Sequence, residues 1–330
     1  MICSMATIKD VAREAGVSVT TVSHVYSGNR KVAEETSKKV LAAARRLDYS
    51  PDAAARRLAT GRSTTIGLHF EMSEEALLLN PFFAQLLTGF AAASAEYGFT
   101  FTLLPPKPTN SFPVNSMGGA IMVDPTPDNE WVPFLKNQGC RVVTIGRYLG
   151  GVETSWVDNN HGEAILEVAK HLAKQGYSRP ALLSVRHRMS YLADIEAAYQ
   201  QGCVAEGLIG ELVYATDLSD RSARLIARNL LQRPNPPDAI ICAIDHMALG
   251  VSHAAEELGI AVPEELAVVG AGDTVLSQHA RPQLTTVRVD PQALAEEALR
   301  LISEFWHDQT APDRHVFLPA ELIIRASSSR

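Results

Sequence analysis

The sequence predicts an all-α N-terminal helix-turn-helix domain, a short helical linker and a larger α/β core with parallel sheets. Three observations carry this. Thr7 to Val25 reads as two short helices joined by a tight turn. From Thr64 onward, short apolar strands alternate with amphipathic helices. The two parts also differ in charge: residues 1–62 hold eleven Lys or Arg against six Asp or Glu, a net of +5, which leaves −12 for the other 268 residues of a chain whose total is −7. The basic end suits phosphate contact, and the acidic remainder is repelled by a polyanion.

In the first helix Val11, Ala12 and Ala15 form an apolar face, and Gly16 stands where the helix must stop and the backbone turn sharply. Ser18 can accept a hydrogen bond from a free N–H of the next helix, whose Val22 and Val25 point inward. Val19, Thr20 and His24 then fall on the outer face, where a helix laid in a major groove meets base edges. A third helix is predicted from Glu34 to Leu47, with Ala33 at the position where a capping hydroxyl would be worth about 0.5–2 kcal/mol. Pro51 can open a further helix, and Ala53, Ala54 and Ala55 favour it, but about two turns are marginal alone in water. This linker helix is expected to fold only against DNA or a second copy.

In the core, strands are predicted at Thr64–Phe70, Ala120–Val123, Val142–Ile145, Pro180–Val185, Ala239–Ala243 and Leu266–Val269, with a terminal strand region over His315–Arg325. Helices are predicted at Pro81–Tyr97, Ala164–Gln175, Ser190–Glu206, Met247–Glu257 and Pro291–Phe305. Repeated β–α units demand right-handed crossovers and a mostly parallel arrangement. The pattern alone leaves open one sheet or two.

A hydrophobic share of 46% and a charged share of 20% are ordinary for a globular chain. Cys3, Cys140, Cys203 and Cys242 are widely spaced and in no CxxC, which favours reduced thiols over a disulfide framework or a zinc site. The start, Met1 to Met5, lacks a basic region followed by an apolar run, and no stretch approaches 18 apolar residues. A cytoplasmic location without membrane partners is expected. Gly118-Gly119 is no dinucleotide motif and no GxxxxGK[ST] occurs, so no cofactor is expected. No nucleophile elbow or metal-ligand spacing supports an enzyme.

The helix-turn-helix, the third helix and the segment Tyr49 to Arg62 together resemble the lac repressor and purine repressor (LacI/GalR) family of bacterial regulators. The resemblance continues through Asn80 to Phe83, Val157-Asp158-Asn159, Asp245 to Gly250, Val262 to Glu265 and Pro282 to Val287. It implies a helix-turn-helix domain over 1–49, a hinge helix and linker over 50–62, and a two-lobed, periplasmic-binding-protein-like core over 63–330. The chain would cross between lobes near residues 162, 290 and 320, giving an N-lobe of about 63–161 and 291–320 and a C-lobe of about 162–290 and 321–330. The implied function is a sequence-specific DNA-binding regulator, expected to be a repressor. It would bind a near-palindromic double-stranded operator as a homodimer under control of a small-molecule effector. The chain ends soon after the core, at Ser327 to Arg330, which points to dimers.

The resemblance assigns base contacts to Val19, Thr20 and His24. Arginine is common at the position of His24, which has a shorter reach and a single ring donor when neutral. Thr7, Ser18, Thr21 and Ser23 are candidates for phosphate contact or for helix capping, and Arg30 for an ionic contact. Ala55 and Leu58 belong to the hinge helix, with Leu58 as a minor-groove wedge that senses how readily the DNA bends. The effector candidates are Phe82, Phe83, Arg147, Trp156, Asp158, Tyr191, Ile195, Asp245 and Asp273. Two successive Phe residues cannot both face one way on a helix, so one is expected in the core. Trp156 suits a sugar platform or ordinary packing, and Asp158 and Asp245 suit ligand contact or loop organisation. Three positions depart from the family pattern: Ile195 for an arginine, Ile244 for an asparagine and Gly272 for an aspartate. A familiar sugar would lose those hydrogen bonds. A carbohydrate is favoured, while a nucleobase, another metabolite, no effector at all, or a small-molecule binder without specific DNA output stay open.

Overall fold

A computed structural model describes residues 6–27, 32–47, 49, 63–71, 80–186, 188–308 and 310–330. It divides into two compact units, one drawn from Met1–Ile66 with Pro113–Gly118, the other from Gly67–Phe112 with Gly119–Arg330. The expected hinge helix, with Ala55 and Leu58, and the candidate Arg30 lie outside the described residues.

The first unit contains α1 (Ile8–Ala15), α2 (Val19–Ser27) and α3 (Glu34–Arg46). Asp10 accepts hydrogen bonds from the Thr7 N–H at 2.9 Å and the Thr7 hydroxyl at 2.6 Å, which fixes the start of α1. Gly16 ends it in the left-handed region at φ +66°, and the Val17 N–H returns to the Ala12 carbonyl at 3.0 Å. Helix α2 then begins with the Thr21 N–H donating to Ser18 Oγ at 3.1 Å. Val11, Ala12, Val22, Val40, Ala43 and Ala44 close a small core among the three helices. Helix α3 has no side-chain cap at Ala33, but Glu34 and Glu35 sit in its first turn, where carboxylates oppose the helix dipole.

The second unit holds two six-stranded sheets flanked by helices. The first has the order β11-β5-β4-β3-β1-β2, from β1 (Thr65–Phe70), β2 (Thr100–Leu103), β3 (Gly119–Val123), β4 (Val142–Ile145), β5 (Ser155–Asn159) and β11 (His315–Leu318). The second has the order β12-β10-β9-β8-β6-β7, from β6 (Pro180–Val185), β7 (Glu211–Ala215), β8 (Ala239–Cys242), β9 (Ala267–Gly272), β10 (Thr285–Arg288) and β12 (Glu321–Ile323). Strand β12 runs antiparallel to β10, an exception to the parallel arrangement. The region expected as one terminal strand is two: β11 pairs with β5 in the first sheet and β12 with β10 in the second.

The helices are α4 (Pro81–Tyr97), α5 (Trp131–Asn137), α6 (His161–Lys174), α7 (Ser190–Glu206), α8 (Asp220–Leu231), α9 (Asp245–Leu258), α10 (Val275–His279) and α11 (Pro291–His307). Helix α11 packs on α4, β4 and β5, whereas α6 packs on α7. Pro133 is tolerated in α5 because it stands in the first turn, where its missing N–H has no intrahelical partner. Cys140 is half-buried, Cys203 and Cys242 are buried, and all three are free thiols. Among the described residues no helix is long and apolar enough to cross a membrane.

Helices α8 and α9 approach so closely at Gly250 that an added Cβ would overlap the Asp220 carbonyl oxygen. Backbone cannot yield as a side chain can, so Gly250→Ala is expected to destabilise the core by about 1–3 kcal/mol. Urea denaturation of the full chain measures this. An unchanged midpoint would mean that the helices slide apart at no cost.

Candidate functional site

Two candidate sites emerge, one in each unit. On α2, Val19 is 41% exposed and Thr20 is exposed beside it. His24 lies one turn beyond Thr20 on the same side and is half-buried. The candidate phosphate-contact hydroxyls already have local work. Thr7 donates to Asp10, and Ser18 Oγ lies 2.9 Å from Thr21 Oγ1 while accepting the Thr21 N–H. Ser23 is half-buried on the same helix.

In the second unit a cavity opens where the carboxyl ends of strands from both sheets converge. The first sheet brings Asp124 after β3, Ile145 and Gly146 at the end of β4, and Asp158 and Asn159 at the end of β5. The second brings Ala243 and Ile244 after β8, Ala271 and Gly272 at the end of β9, and Thr274 beyond it. Phe82 and Phe83 from α4, His161 from α6 and Tyr191 from α7 complete the aromatic walls. The cavity is narrow, with a volume of about 60 Å³. Strand ends are the expected ligand position in open α/β sheets.

Beside the cavity, Arg147 joins elements of the two sheets. Its guanidinium holds Asp158 on β5 at 3.3 Å and ion-pairs with Asp194 on α7. The Ser190 hydroxyl on α7 donates to Asp158 at 2.9 Å and accepts from the Arg147 N–H at 2.9 Å. Asp158 is 3% exposed, and that burial raises its pKa against the lowering pull of Ser190, Asn159 and Arg147.

Two polar atoms in the cavity wall are unmatched. Asn159 Oδ1 and His161 Nδ1 are buried without a hydrogen-bond partner. Burial lowers the His161 pKa to about 4, so its imidazole is neutral near pH 7. Burial pushes the Asp124 carboxyl up to about 8, and the charge of Asp158 adds to the effect. Asp124 adopts φ +49°, a strained conformation for a non-glycine residue. A buried polar atom without a partner costs about 1–3 kcal/mol, so such a cluster marks a place where a partner arrives from outside.

Of the expected effector residues, Phe82, Phe83, Asp158 and Tyr191 line the cavity, and Arg147 stands behind Asp158. Phe83, 2% exposed, is the one of the pair that lies in the core as expected, and it also borders the cavity, with its ring 5.3 Å from that of Phe82, edge to face. Four others are placed elsewhere. Trp156 stacks on His315 at 4.9 Å and meets Phe317 at 4.8 Å, which makes it a packing residue between β5 and β11. Ile195, 1% exposed, is buried among Leu172, Tyr177 and Tyr199, because this point of α7 faces its own sheet. Asp245 accepts from the Thr274 N–H at 2.7 Å, the Thr274 hydroxyl at 2.8 Å and the Thr286 hydroxyl at 2.6 Å, so it organises a loop. Asp273 is held by Arg325 at 2.5 Å and Arg288 at 2.7 Å, which keeps its carboxyl below the usual range despite burial. Sequence reasoning missed Asp124 and His161 and singled out Asn159 only within a longer match. The usable signal was a polar residue directly after a buried apolar strand, as in Val123-Asp124-Pro125.

A helix-turn-helix domain with a two-lobed α/β core of this kind defines a DNA-binding regulator of the bacterial repressor class, and the comparisons agree. Residues 7–52 match the model of bacterial regulatory proteins of the lacI family, and residues 169–328 that of a periplasmic binding protein-like domain. Catabolite control protein A of Priestia megaterium is 30% identical over 337 residues, covering 98% of this chain and 99% of that one. The HTH-type transcriptional repressor PurR of Photobacterium profundum is 29% identical, covering 98% of each. Among solved structures, the transcriptional regulator CelR–cellobiose complex superposes with a TM-score of 0.74 at 26% identity, covering 98% of this chain and 99% of that one. A lac repressor dimer bound to operator and the anti-inducer ONPF superposes with a TM-score of 0.78 at 23% identity, covering 99% and 100%. The chain belongs to the lacI family and is a DNA-binding transcriptional regulator, not an enzyme.

The raised Asp124 pKa gives a pH signature. The unfolded carboxyl ionises near 3.8 and the folded one near 8. The native state therefore holds the extra proton, and this group's contribution is lost as pH rises through that window. Relative to Asp124→Asn, the wild-type chain is expected to lose stability steadily between pH 5 and pH 8 in urea titrations. A gap independent of pH would show that Asp124 is already ionised in the native state.

Proposed function

We propose that this chain is a repressor that binds a near-palindromic operator as a homodimer and is switched by a small molecule in the cleft between the strand ends. The observation that carries the effector reading is the convergence of Asn159 Oδ1 and His161 Nδ1, both buried and unpartnered, beside aromatic walls. Exposed Val19 and Thr20 with His24 on the helix-turn-helix support base reading in the major groove. The homodimer is supported by a broad groove on the second-sheet side, lined by Leu249, Ile260, Val275 and Leu276, which offers apolar area to a second copy.

A carbohydrate effector is supported by the relative solved with cellobiose and by flat rings able to stack on a sugar face. The effector acts through linkage. A ligand that prefers one lobe geometry shifts the population of that geometry, and DNA affinity follows only if operator binding prefers it too.

Selection of operator fragments with the full-length protein tests the DNA role. His24→Ala is expected to weaken binding to the selected site by about 1–3 kcal/mol, or roughly 5- to 150-fold, with little change on random duplex. Fluorescence anisotropy measures both. Equal losses on both duplexes would assign His24 to the phosphate backbone, and no enriched sequence would sink the operator-reading role.

A further inference from the structure

We infer that Asp124 is the specificity-determining residue of the cleft, and that the ligand it admits is an uncharged molecule rich in hydroxyl donors. This rests on reading the cleft as the effector site. The polar groups left for a ligand there are the Asp124 carboxyl, Asn159 Oδ1, His161 Nδ1 and the Tyr191 hydroxyl. With Asp124 and Tyr191 protonated the set both donates and accepts, so it suits a ligand whose groups do both, as hydroxyls do. Asn80, also in the wall, already accepts from the Phe82 N–H at 3.1 Å. Among the described residues lining the cavity none is Lys or Arg. The nearby Arg147 is held by both Asp158 and Asp194.

A phosphate or carboxylate placed here would lie beside Asp158 and lose its hydration with no lining cation to balance it, and it would draw nothing but a hydrogen bond from the protonated Asp124. The backbone is shaped to this carboxyl. Gly146, at φ +80°, leaves the room that a side chain would take, since an added Cβ would stand 2.9 Å from Asp124 Oδ1. Phe82, Phe83 and Tyr191 supply flat apolar faces for a ring whose edges carry hydroxyls.

The test is calorimetric titration of the full-length protein with matched probes: glucose against glucose 6-phosphate, and cellobiose against cellobionate, within a broad panel of neutral mono- and disaccharides. A neutral probe is expected to bind at least about tenfold more tightly than its anionic partner. Asp124→Ala is expected to lose about tenfold in affinity for that probe, and Asp124→Asn to recover most of it, because an amide keeps a neutral donor and acceptor in place. Preference for an anionic partner, indifference to Asp124→Ala, or no binding by any neutral probe overturns the inference. Ile244→Trp, which fills the cavity, separates this from the underlying reading. If an anionic probe binds and Ile244→Trp abolishes it, the cleft remains the effector site and only the charge rule fails. If binding of a probe survives Ile244→Trp, the cleft reading fails. Circular dichroism checks that each variant is folded.

Discussion

The hydrogen-bonded bridge centred on Arg147 is the interaction on which the cleft depends. One guanidinium spans a strand of the first sheet and a helix packed on the second, and Ser190 closes the circuit by donating to Asp158 while accepting the Arg147 N–H. Asp158 is almost wholly buried, so its charge is tolerable only with these partners in place. Breaking the bridge would leave Asp158 buried without its partners, so the arrangement of the two sheets that keeps it is favoured over others. That is the property a ligand-controlled regulator needs, because an effector can shift a population only where two states differ in free energy.

The rim of the second sheet shows what became of positions expected to hold ligand. Asp245 uses both carboxyl oxygens on Thr274 and Thr286, and Asp273, strained at φ +46°, is clamped by Arg288 and Arg325. Both hold the loop that carries Gly272 and Thr274 into the cavity wall. Ile244 and Gly272 stand at positions where the resemblance led polar groups to be expected, and the Thr274 hydroxyl is spent on Asp245, so this side of the cleft offers a ligand mainly apolar side chains. The polar groups of the wall that lack partners lie instead with the first sheet, at Asp124 and Asn159, with neutral His161 next to them.

Much of this was readable from residue order where local pattern and burial agree. Val142–Ile145 and Pro180–Val185 are buried apolar runs, and Pro81–Tyr97 opens with Asn80 accepting the Phe82 N–H and closes at Gly98, so both ends are marked. Ser155–Asn159 and Thr285–Arg288 are polar and short, and they are strands only because neighbours on both sides supply ladder partners. Helix α8 carried a readable signal that was passed over, a Ser219 cap and inward Ala223, Ala227, Leu230 and Leu231. The site was legible where residue chemistry is local, as with Phe82, Phe83 and Tyr191. It was not legible where the role of a residue depends on what converges from another strand: Asp124 matters because Gly146, Asp158 and Tyr191 meet it from distant segments. Trp156 and Ile195 misled for the same reason, since β11 and the first-sheet edge, or the core under α7, claim them first.

The most direct test of the bridge as the regulatory element is a double-mutant cycle at Arg147 and Asp194, read out as affinity for the selected operator in the absence of ligand. Arg147→Ala and Asp194→Ala are each expected to change that affinity. The double variant should change it no further than the larger single effect, a coupling of about 0.5–3 kcal/mol between groups in direct contact. Operator affinity unmoved by either substitution, or single effects that simply add, would contradict a bridge that sets the geometry DNA binding prefers.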